Sequence, residues 1–479
     1  MRSERLAGLI AACAILAGCV SPHERSTPAE QSIDAGTLAA SRTLGSATAG
    51  EWPGGKWWAV FGDAQLDRLI DEALAGSPAL RIAQARIAQA RALVDAALAS
   101  ASPGVTGGFD LTRQRFSLSG TVPPPVAGTT RTTDRLAVDF SYEIDYAGRY
   151  DAAIAAARAS VSAADADAYA ARLSLSSAVA RAYFQFQSLF ALRAISGREL
   201  AQAAKRIELT RQRFAAGLDT EAAVTRAEAA PPELRAGIEQ LEAAIALARN
   251  QLAALTGQGP DRGLGIGPAS APAVANATSH ALPDNLPLDL LGRRPDLAAA
   301  RWRAEAATRE IEVARLRFLP NVNLVAFAGA ASLGLDRLLA AGSMIAGTGP
   351  AIRLPLFSAG NLQAALSGRE ADYDLAVARY NEVLIDAVRE VADQVQARRA
   401  LEAERRERAS VLEATDRTRR LAEDRYRAGI ANYLEVLDAE APLYSLQRAD
   451  ADLRARALQA EVSLYRALGG GYKEGPGGR

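Results

Sequence analysis

The chain repeats one ordered pattern of proline and glycine landmarks, and this internal duplication restricts its fold more than any other feature. The landmarks recur in pairs at nearly constant spacing: Pro78 with Pro295, Pro103 with Pro320, Gly148 with Gly360, and Gly217 with Gly429. Such recurrence indicates a repeated structural unit. The sequence therefore predicts one unit at residues 57–257 and a second at 288–470, with a linker at 258–287 and a flexible tail at 471–479.

Each predicted unit contains three helices of different length. A proline starts the first helix and a second proline stops it, at Pro78–Ser102 and Pro295–Leu319. A far longer helix follows, Gly148–Gly217 and Gly360–Gly429, and its about seventy residues would reach roughly 100 Å. Its last glycine, Gly217 or Gly429, is expected to form the C-cap at a helix-turn tip. Shorter helices then return, at Thr220–Leu255 and Asn432–Leu468.

Small and apolar residues recur along the long helices at spacings of three and four, a pattern typical of coiled-coil packing. The first seam comprises Ile154, Ala157, Val161, Ala164, Ala168, Ala171, Leu175 and Ala178, and the second comprises Tyr373, Val377, Tyr380, Leu384, Ala387 and Val391. Pro231 and Pro232 fall inside the first returning helix, where we expect a break or a kink.

Two strand-like segments separate the first two helices of each unit. In Arg135–Tyr146 the even positions from Leu136 to Tyr146 are apolar or aromatic, whereas Asp139, Ser141 and Glu143 lie on the other face. Strict alternation over about ten residues fits a transmembrane β-strand, and also a half-buried strand of a soluble protein. The other predicted strands are Val105–Leu118, Asn321–Ser332 and Gly349–Phe357.

Four strands cannot cross a membrane as an open sheet, because the edges would leave peptide groups unpaired in lipid. Two chains would supply eight strands, a barrel filled by its own side chains, whereas three would supply twelve and leave a lumen. The predicted fold is therefore mainly α with transmembrane β: a trimeric 12-stranded β-barrel, four strands per chain, continuous with a long antiparallel α-helical barrel.

Composition argues against several other functions. Lys plus Arg and Asp plus Glu both number 55, so no excess of basic charge suggests a nucleic-acid partner. His23 and His280 are isolated among Pro, Ser and Ala, which is unlike a metal site or an acid/base centre. We predict no catalytic residue, no metal ligand and no cofactor other than a covalent lipid.

That lipid is predicted from the N-terminus. Arg2 and Arg5 precede an apolar run that is too short to span a bilayer but fits a secretory signal. The run ends in Leu16-Ala17-Gly18-Cys19, which resembles the lipobox of bacterial lipoproteins. We expect a signal peptide at residues 1–18, lipidation of Cys19, and a lipid-anchored linker at 19–56.

Three local sequences resemble those of the TolC-like outer membrane factors, in particular their NodT-type efflux lipoproteins. The first comprises Trp57, Trp58, Phe61, Gly62, Asp63, Leu66, Leu69 and Ile70; the second is Arg293-Arg294-Pro295-Asp296; the third runs from Gly349 to Phe357 with Pro350 and Pro355. The resemblance implies the outer-membrane channel of a tripartite efflux system that conducts small molecules such as drugs and hydrophobic toxins, anchored in the bacterial outer membrane and extending into the periplasm.

The resemblance also implies a gate, located after the repeated glycine at the periplasmic tip. Leu434 and Asp438 are one helical turn apart, so three copies would form an apolar constriction and an acidic ring, with Glu435 beside them. Tyr426 matches a tyrosine that ties the tip closed in the family. Its usual partners are absent here, and Asp219 or Glu221 would have to replace them.

Partners implied by the resemblance are two further copies of the chain, a periplasmic adaptor, an inner-membrane pump of RND type or similar, and outer-membrane lipid. Three alternatives remain open at this point. One is a type I conduit that secretes a polypeptide. Another is a non-pore periplasmic coiled-coil lipoprotein scaffold, which predicts no strands in the membrane. The third is an enzyme, although no nucleophile–base pair or phosphate loop is present at useful spacing.

Overall fold

The computed structural model describes residues 28–44, 52–269, 290–355 and 359–474. Seven helices of more than one turn and four strands are present in these ranges. In chain order they are α1 (Ala64–Gly76), α2 (Pro78–Ser100), β1 (Gly104–Arg115), β2 (Thr130–Glu143), α3 (Arg149–Ala215), α4 (Glu221–Leu255), α5 (Pro295–Leu316), β3 (Asn321–Leu333), β4 (Met344–Arg353), α6 (Ala359–Arg427) and α7 (Tyr433–Ala467).

The predicted fold class is confirmed for the single chain, which is mostly helical with one four-stranded antiparallel sheet. All six predicted helices are present, and their ends differ from the prediction by at most three residues. Helix α1, which sequence reasoning did not identify, is capped by Asp63, whose side chain accepts hydrogen bonds from the N–H groups of Gln65 and Leu66. None of the helices among the described residues combines the length and apolar composition needed to cross a bilayer.

The chain forms two compact units, and each takes segments from both sequence repeats. Of the described residues, the first unit contains the sheet and the helical residues nearest to it, within 28–32, Arg86–Ala164 and Ala300–Tyr380. The second contains the rest of the described helices, within the described parts of 33–85, 165–299 and 381–474.

The sheet of the first unit has the order β1-β2-β3-β4, which leaves β1 and β4 at its edges. Residues opposite each other across the ladder share a face. Val105 is opposite Phe140, and Phe140 is opposite Ala326. One face of the sheet is therefore apolar across all four strands; its members include Val105, Phe109, Leu136, Val138, Phe140, Leu324, Ala328, Ala346 and Ile352.

The predicted boundaries of two strands were wrong. Strand β4 begins at Met344 and ends at Arg353, instead of running from 349 to 357. Pairing with β3, from Asn321 opposite Arg353 to Ala330 opposite Met344, determines these ends. Strand β2 begins five residues before its predicted start, since its polar first residues pair with the end of β1. It ends early because the Asp145 carboxylate turns to accept the N–H groups of Arg149 and Tyr150 at the start of α3.

At Pro231 and Pro232, where a break or a kink was expected, the break was wrong, because α4 is continuous through both residues. Each proline removes one helical N–H donor, which leaves the carbonyl groups of Ala227 and Glu228 without helical partners. The neighbouring residues are largely exposed, so water can satisfy these carbonyls. Helix α7 likewise contains Pro442.

Of the two predicted seams, the second is mostly confirmed: Val377, Leu384, Ala387 and Val391 are buried. The first is displaced. Its only buried member is Ile154, and the buried face of this part of α3 is instead Ala152, Ala156, Ala159, Ala163 and Ala166. Alanine occurs on nearly every face of this helix, so spacing alone did not identify the buried one.

An aromatic core stabilises the second unit. Trp57 stacks on Tyr465 with ring centroids 5.6 Å apart, and Phe61 contacts Phe184 edge to face at 4.9 Å. Leu66, Leu69 and Ile70 of α1 are fully buried in the same cluster. The first of the three local sequences is therefore a packing motif that joins α1 and the segment before it to α3 and α7.

The second local sequence is also structural. The guanidinium of Arg294 is nearly buried and contacts Asp296 at 2.6 Å, Glu390 at 3.0 Å and the carbonyl of Ala467 at 3.1 Å. One side chain thus links the start of α5 to α6 and to the end of α7. Pairing and hydrogen bonding on all sides are what make a buried charge tolerable.

Candidate functional site at the helix tips

The two long helices end in the same turn. Gly217 and Gly429 have φ values of 72° and 76°, in the left-handed region that glycine adopts at little cost. The N–H groups of Leu218 and Ile430 donate to the carbonyls of Arg213 and Arg425, at 2.8 and 3.0 Å. These six-to-one bonds define a Schellman C-cap, which reverses the chain at each tip.

The returning helices start in the same way at both tips. Thr220 caps α4, its side chain accepting a hydrogen bond from the N–H of Ala223 at 3.2 Å. Asn432 caps α7 by accepting from the N–H of Glu435 at 3.3 Å. A polar N-cap three residues after a glycine C-cap makes a short turn with its end groups satisfied. Both tips are therefore rigidly defined by local sequence.

A row of polar contacts joins the last quarter of α3 to the first turns of α7; we call it the tip clamp. Arg206 contacts the carboxylate of Asp438 at 2.5 Å, Gln202 donates to the carbonyl of Leu437 at 2.7 Å, and Arg198 donates to Gln447 at 2.8 Å. Arg448 completes the row by pairing with Glu199. The clamp holds the start of the second returning helix against the first long helix.

A neighbouring tyrosine adds to this contact region. Tyr444 is buried, and its hydroxyl donates to Glu440 at 3.0 Å. Burial, together with the negative charge of Glu440, raises the pKa of Tyr444 to about 12. The phenol therefore keeps its proton and remains a hydrogen-bond donor at any physiological pH.

The predicted gate residues lie close together on α7 but in different surroundings. Leu434 is partly buried and lines a cavity at the tip. Glu435 is 3.7 Å from Arg425. Asp438 is exposed and forms the ion pair with Arg206. Within one chain the acidic charge of Asp438 is therefore balanced by a cation of the first repeat, which sequence reasoning did not anticipate.

Tyr426 does not bond to the substitutes considered above. Its ring meets Tyr433 edge to face with centroids 5.0 Å apart. Asp219 is engaged by Arg213 at 3.2 Å, and the described residues provide no hydrogen bond between the Tyr426 hydroxyl and either Asp219 or Glu221. At this point the two repeats meet by packing and not by a hydrogen bond to Tyr426, because Tyr426 and Leu218 line the same cavity.

That cavity has a volume of about 350 Å³ and lies between the two tips, within the second unit. The first tip contributes Leu209, Arg213 and Leu218, and the second contributes Tyr426 and Leu434, among others. Its lining is mainly apolar with one cation. The predicted gate residues Leu434 and Tyr426 thus belong to a single packed site, whereas Asp438 belongs to the tip clamp.

The clamp residues of α3 were missed from the sequence, although a signal was present. Arg198, Gln202 and Arg206 are spaced by four, so they share one helix face. A polar ridge of this kind near the end of a seventy-residue helix indicates a specific partner helix. Their side-chain partners on α7 are Asp438 and Gln447, which the sequence alone did not pair with them.

Two further predictions concern sites outside this region. The predicted lipidation residue, Cys19, lies outside the described residues. Within the described ranges, no group of three or more His, Cys, Asp or Glu side chains is placed to hold a metal ion.

Known proteins share both sequence and fold with this chain. The family described as outer membrane efflux protein matches residues 69–258 and 286–470. The fusaric acid resistance protein FusA of Burkholderia cepacia is 34% identical over 368 residues, which cover 76% of this chain and 68% of FusA. The multidrug resistance outer membrane protein MdtQ of Escherichia coli O157:H7 is 29% identical over 467 residues, 96% of each chain.

The fold comparison agrees with the sequence comparison. The crystal structure of the outer membrane protein VceC of Vibrio cholerae superposes with a TM-score of 0.77 at 37% identity, covering 88% of this chain and 100% of VceC. Together with the paired helix tips and the four-stranded sheet, these matches show that the chain belongs to the outer membrane efflux protein family and has the TolC-like fold of its channels.

Proposed function

We propose that three copies of this chain close into one channel that carries small molecules across the outer membrane. The sheet is the observation that carries the proposal, since it has four strands, two open edges and a continuous apolar face. Strand β1 of one copy would pair with β4 of the next, so that no edge remains in lipid. Three copies give twelve strands, enough to leave a lumen.

The two faces of the sheet support this arrangement. Val105 is 65% exposed and Val138 is 51% exposed in the single chain, and an apolar face of this extent suits contact with lipid. The opposite face carries Arg135 and Asp139, paired at 2.5 Å, with Asp110 directly across from Arg135. Charged groups on this face suit a water-filled lumen.

Cysteine cross-linking tests the closure. Gly107 on β1 and Thr348 or Ala346 on β4 lie on the apolar face, so their side chains would meet at an intersubunit β1–β4 contact in one of a few registers. Within one chain β1 and β4 are three strand spacings apart, about 14 Å, which is too far for a disulfide. Any bond between them must therefore join two copies.

We expect Gly107→Cys combined with a β4 cysteine on the same face to give a covalent trimer after oxidation in native membranes. Gly107→Cys with Gly349→Cys is the matched control, because residue 349 lies on the opposite face and cannot reach residue 107 across a ladder. The closure would be refuted if no cysteine position on β4 gave a covalent trimer with Gly107→Cys. It would also be refuted if the control pair gave as much covalent trimer as the test pairs.

The helix tips are proposed as the gate of this channel. Three copies of Asp438 and Leu434 around a threefold axis would narrow the passage with charge and apolar bulk. The pairing of Asp438 with Arg206 supports a gate held by the tip clamp, in which opening requires α7 to separate from α3. The pump that drives opening would be a different protein.

For the cargo, we propose small molecules such as drugs and hydrophobic toxins. FusA and MdtQ are named for resistance to fusaric acid and to multiple drugs. Deleting the gene in its host is expected to raise the cellular accumulation of a fluorescent dye substrate at least severalfold, with restoration by the intact gene. Unchanged dye accumulation together with loss of a secreted polypeptide would instead establish a type I secretion conduit.

We further propose that Cys19 carries the lipid anchor, on the basis of the lipobox-like ending of the signal segment. The intact mass of the mature protein should correspond to loss of residues 1–18 and addition of acyl groups. Cys19→Ala should remove the acyl mass. An unmodified Cys19 in protein purified from the outer membrane would rule the anchor out.

A periplasmic adaptor and an inner-membrane pump of RND type are the proposed partners, because a passive channel needs an energy source elsewhere. The adaptor would dock at the tips, where the cavity between Leu218 and Tyr426 opens. The adaptor and the pump should co-purify with the tagged channel. Loss of this co-purification when the tips are altered, with no loss when the strands are altered, would establish the contact.

A further inference from the structure

A second cavity, of about 390 Å³, lies in the unit that contains the aromatic core. Three segments line it: residues 55–58 before α1, one face of α3 from Tyr169 to Ser176, and residues 469–472 after α7. It shares no residue with the cavity at the tips. Its volume falls in the range of small-molecule sites in proteins.

The charged side chains that line this cavity are all cationic. They are Lys56 and Arg172, and no carboxylate is among the lining residues. Lys56 is 3.4 Å from Asp71, but both side chains are more than half exposed, so this pair contributes little. Arg172 is exposed and has no acidic partner in the described part of the chain. The cavity therefore presents uncompensated positive charge.

The rest of the lining is apolar and aromatic, with one unsatisfied donor. Trp57, Trp58 and Leu173 are buried, and Tyr169 contacts Tyr472 edge to face at 5.2 Å. Trp57 is 3% exposed, and its indole Nε1 donates no hydrogen bond to any described residue. A buried donor without an acceptor is costly, and an acceptor bound in the cavity would satisfy it.

Glycines bring the chain end close to this site without filling it. Gly470 and Gly471 have φ values of 56° and 85°. A Cβ on Gly470 would lie 2.2 Å from Leu173 Cδ1, and one on Gly471 would lie 2.3 Å from the backbone of Gly54. The close approach requires glycine, and it leaves the space between the three segments open.

From this combination we infer a binding site for a small amphipathic monoanion, an aromatic or aliphatic carboxylate. Its acidic group contacts Arg172 and Lys56, and its apolar body packs against the Trp57, Trp58 and Leu173 side chains. The site lies within a single chain, so it does not depend on closure of the channel. It also involves none of the proposed gate residues.

Isothermal titration calorimetry with 2-naphthoate tests the site, using the full-length protein in lipid nanodiscs. Saturable binding of one naphthoate per chain is expected. Arg172→Gln should weaken it at least about tenfold, the loss typical of one hydrogen bond to a charged group. Arg235→Gln is the matched control, because Arg235 is exposed on α4 and does not line the cavity. This control should bind as the unaltered protein does.

Two additional probes identify the chemistry of the ligand. The neutral analogue 2-naphthalenemethanol and inorganic phosphate should each bind at least about tenfold more weakly than 2-naphthoate. Equal affinity for naphthoate and the neutral alcohol, equal affinity of the Arg172 and Arg235 variants, or binding that does not saturate would overturn the inference. The same nanodisc sample reports its oligomeric state, so a trimer that binds no naphthoate refutes this inference alone.

Discussion

At the scale of single residues, the helix tips depend on a few polar side chains. The carboxylate of Asp438 is 2.5 Å from Arg206, and the pair joins α7 to α3. An exposed ion pair contributes only about 0.2–1 kcal/mol. Three such pairs in a trimer would favour the closed arrangement by about 0.6–3 kcal/mol in total. A small local energy can thus control a gate through threefold repetition.

Asp438→Asn should consequently open the channel. We expect its open probability in planar bilayers to rise by about 3- to 150-fold, the change that about 0.6–3 kcal/mol produces. Asp452→Asn is the control, because Asp452 pairs at 2.8 Å with Arg456 on the same helix and does not join two helices. Equal behaviour of both variants and the unaltered protein would exclude Asp438 from the gate.

Glu461 is a buried acid that the channel model does not require. It is 9% exposed, its Oε2 accepts no hydrogen bond from the described residues, and its nearest printed cation, Arg398, is 4.0 Å away and also 3.4 Å from Glu402. Burial raises the pKa of Glu461 above its ordinary value. A raised carboxyl pKa stabilises the fold below the unfolded-state pKa, and this contribution is lost as pH rises through the folded-state pKa.

Glu461→Gln is therefore expected to raise the melting temperature at pH 7.5 and to lose this advantage as the pH falls toward 4. Thermal unfolding followed by circular dichroism across that range provides the measurement. Glu413→Gln, at a side chain that is 75% exposed, should leave the melting temperature unchanged. A lower melting temperature for Glu461→Gln at pH 7.5 would mean that the Arg398 contact outweighs the cost of burial.

At the scale of elements, local sequence determines where helices stop, and pairing determines where strands stop. The glycine at each tip defines the end of a long helix within two residues, because only a left-handed C-cap allows the turn. No comparable signal marks β4, in which Gly347, Gly349 and Pro350 hide the alternation. Its ends follow from its hydrogen bonds to β3, and a single sequence does not reveal those.

The tip glycines provide a test at this scale. Gly429→Ala should destabilise the protein by about 1 kcal/mol, because alanine disfavours the left-handed conformation; nothing lies within 4 Å of the added methyl group, so packing is unaffected. Gly197→Ala is the control in the interior of α3, also with nothing within 4 Å, and it should stabilise by about 0.5–1 kcal/mol. Opposite shifts in melting temperature are expected, and shifts of the same sign would contradict the C-cap role.

The two faces of the sheet provide a second test at the scale of elements. Val138→Arg places a charge on the proposed lipid face and should cost about 2–4 kcal/mol if the residue lies near the middle of the bilayer. Thr106→Arg lies on the opposite face, across from Asp139, and should fold normally. The yield of refolding into lipid vesicles distinguishes the two variants. The folded assembly is recognised on a gel by its resistance to unfolding. Equal yields would show that neither face contacts lipid.

At the scale of the whole molecule, the duplicated pattern was enough to predict six of the seven long helices, all four strands and their order along the chain, but not α1. What it could not provide were contacts between side chains from distant segments. The Arg206–Asp438 pair, the Arg294 cluster and the packing of Trp57 on Tyr465 all join residues far apart in sequence. Alanine-rich α3 was a further limit, since its buried face is set by its neighbours rather than by its own pattern.

The proposed channel requires that this chain completes its sheet with copies of itself. Native mass spectrometry of the full-length protein, extracted from outer membranes in detergent, tests it most directly because the mass counts the chains. We expect a complex of three chains that dissociates only when the sheet is disrupted, as by Val138→Arg. A monomer that remains folded in detergent or in water would contradict it and would favour the lipoprotein scaffold without a pore.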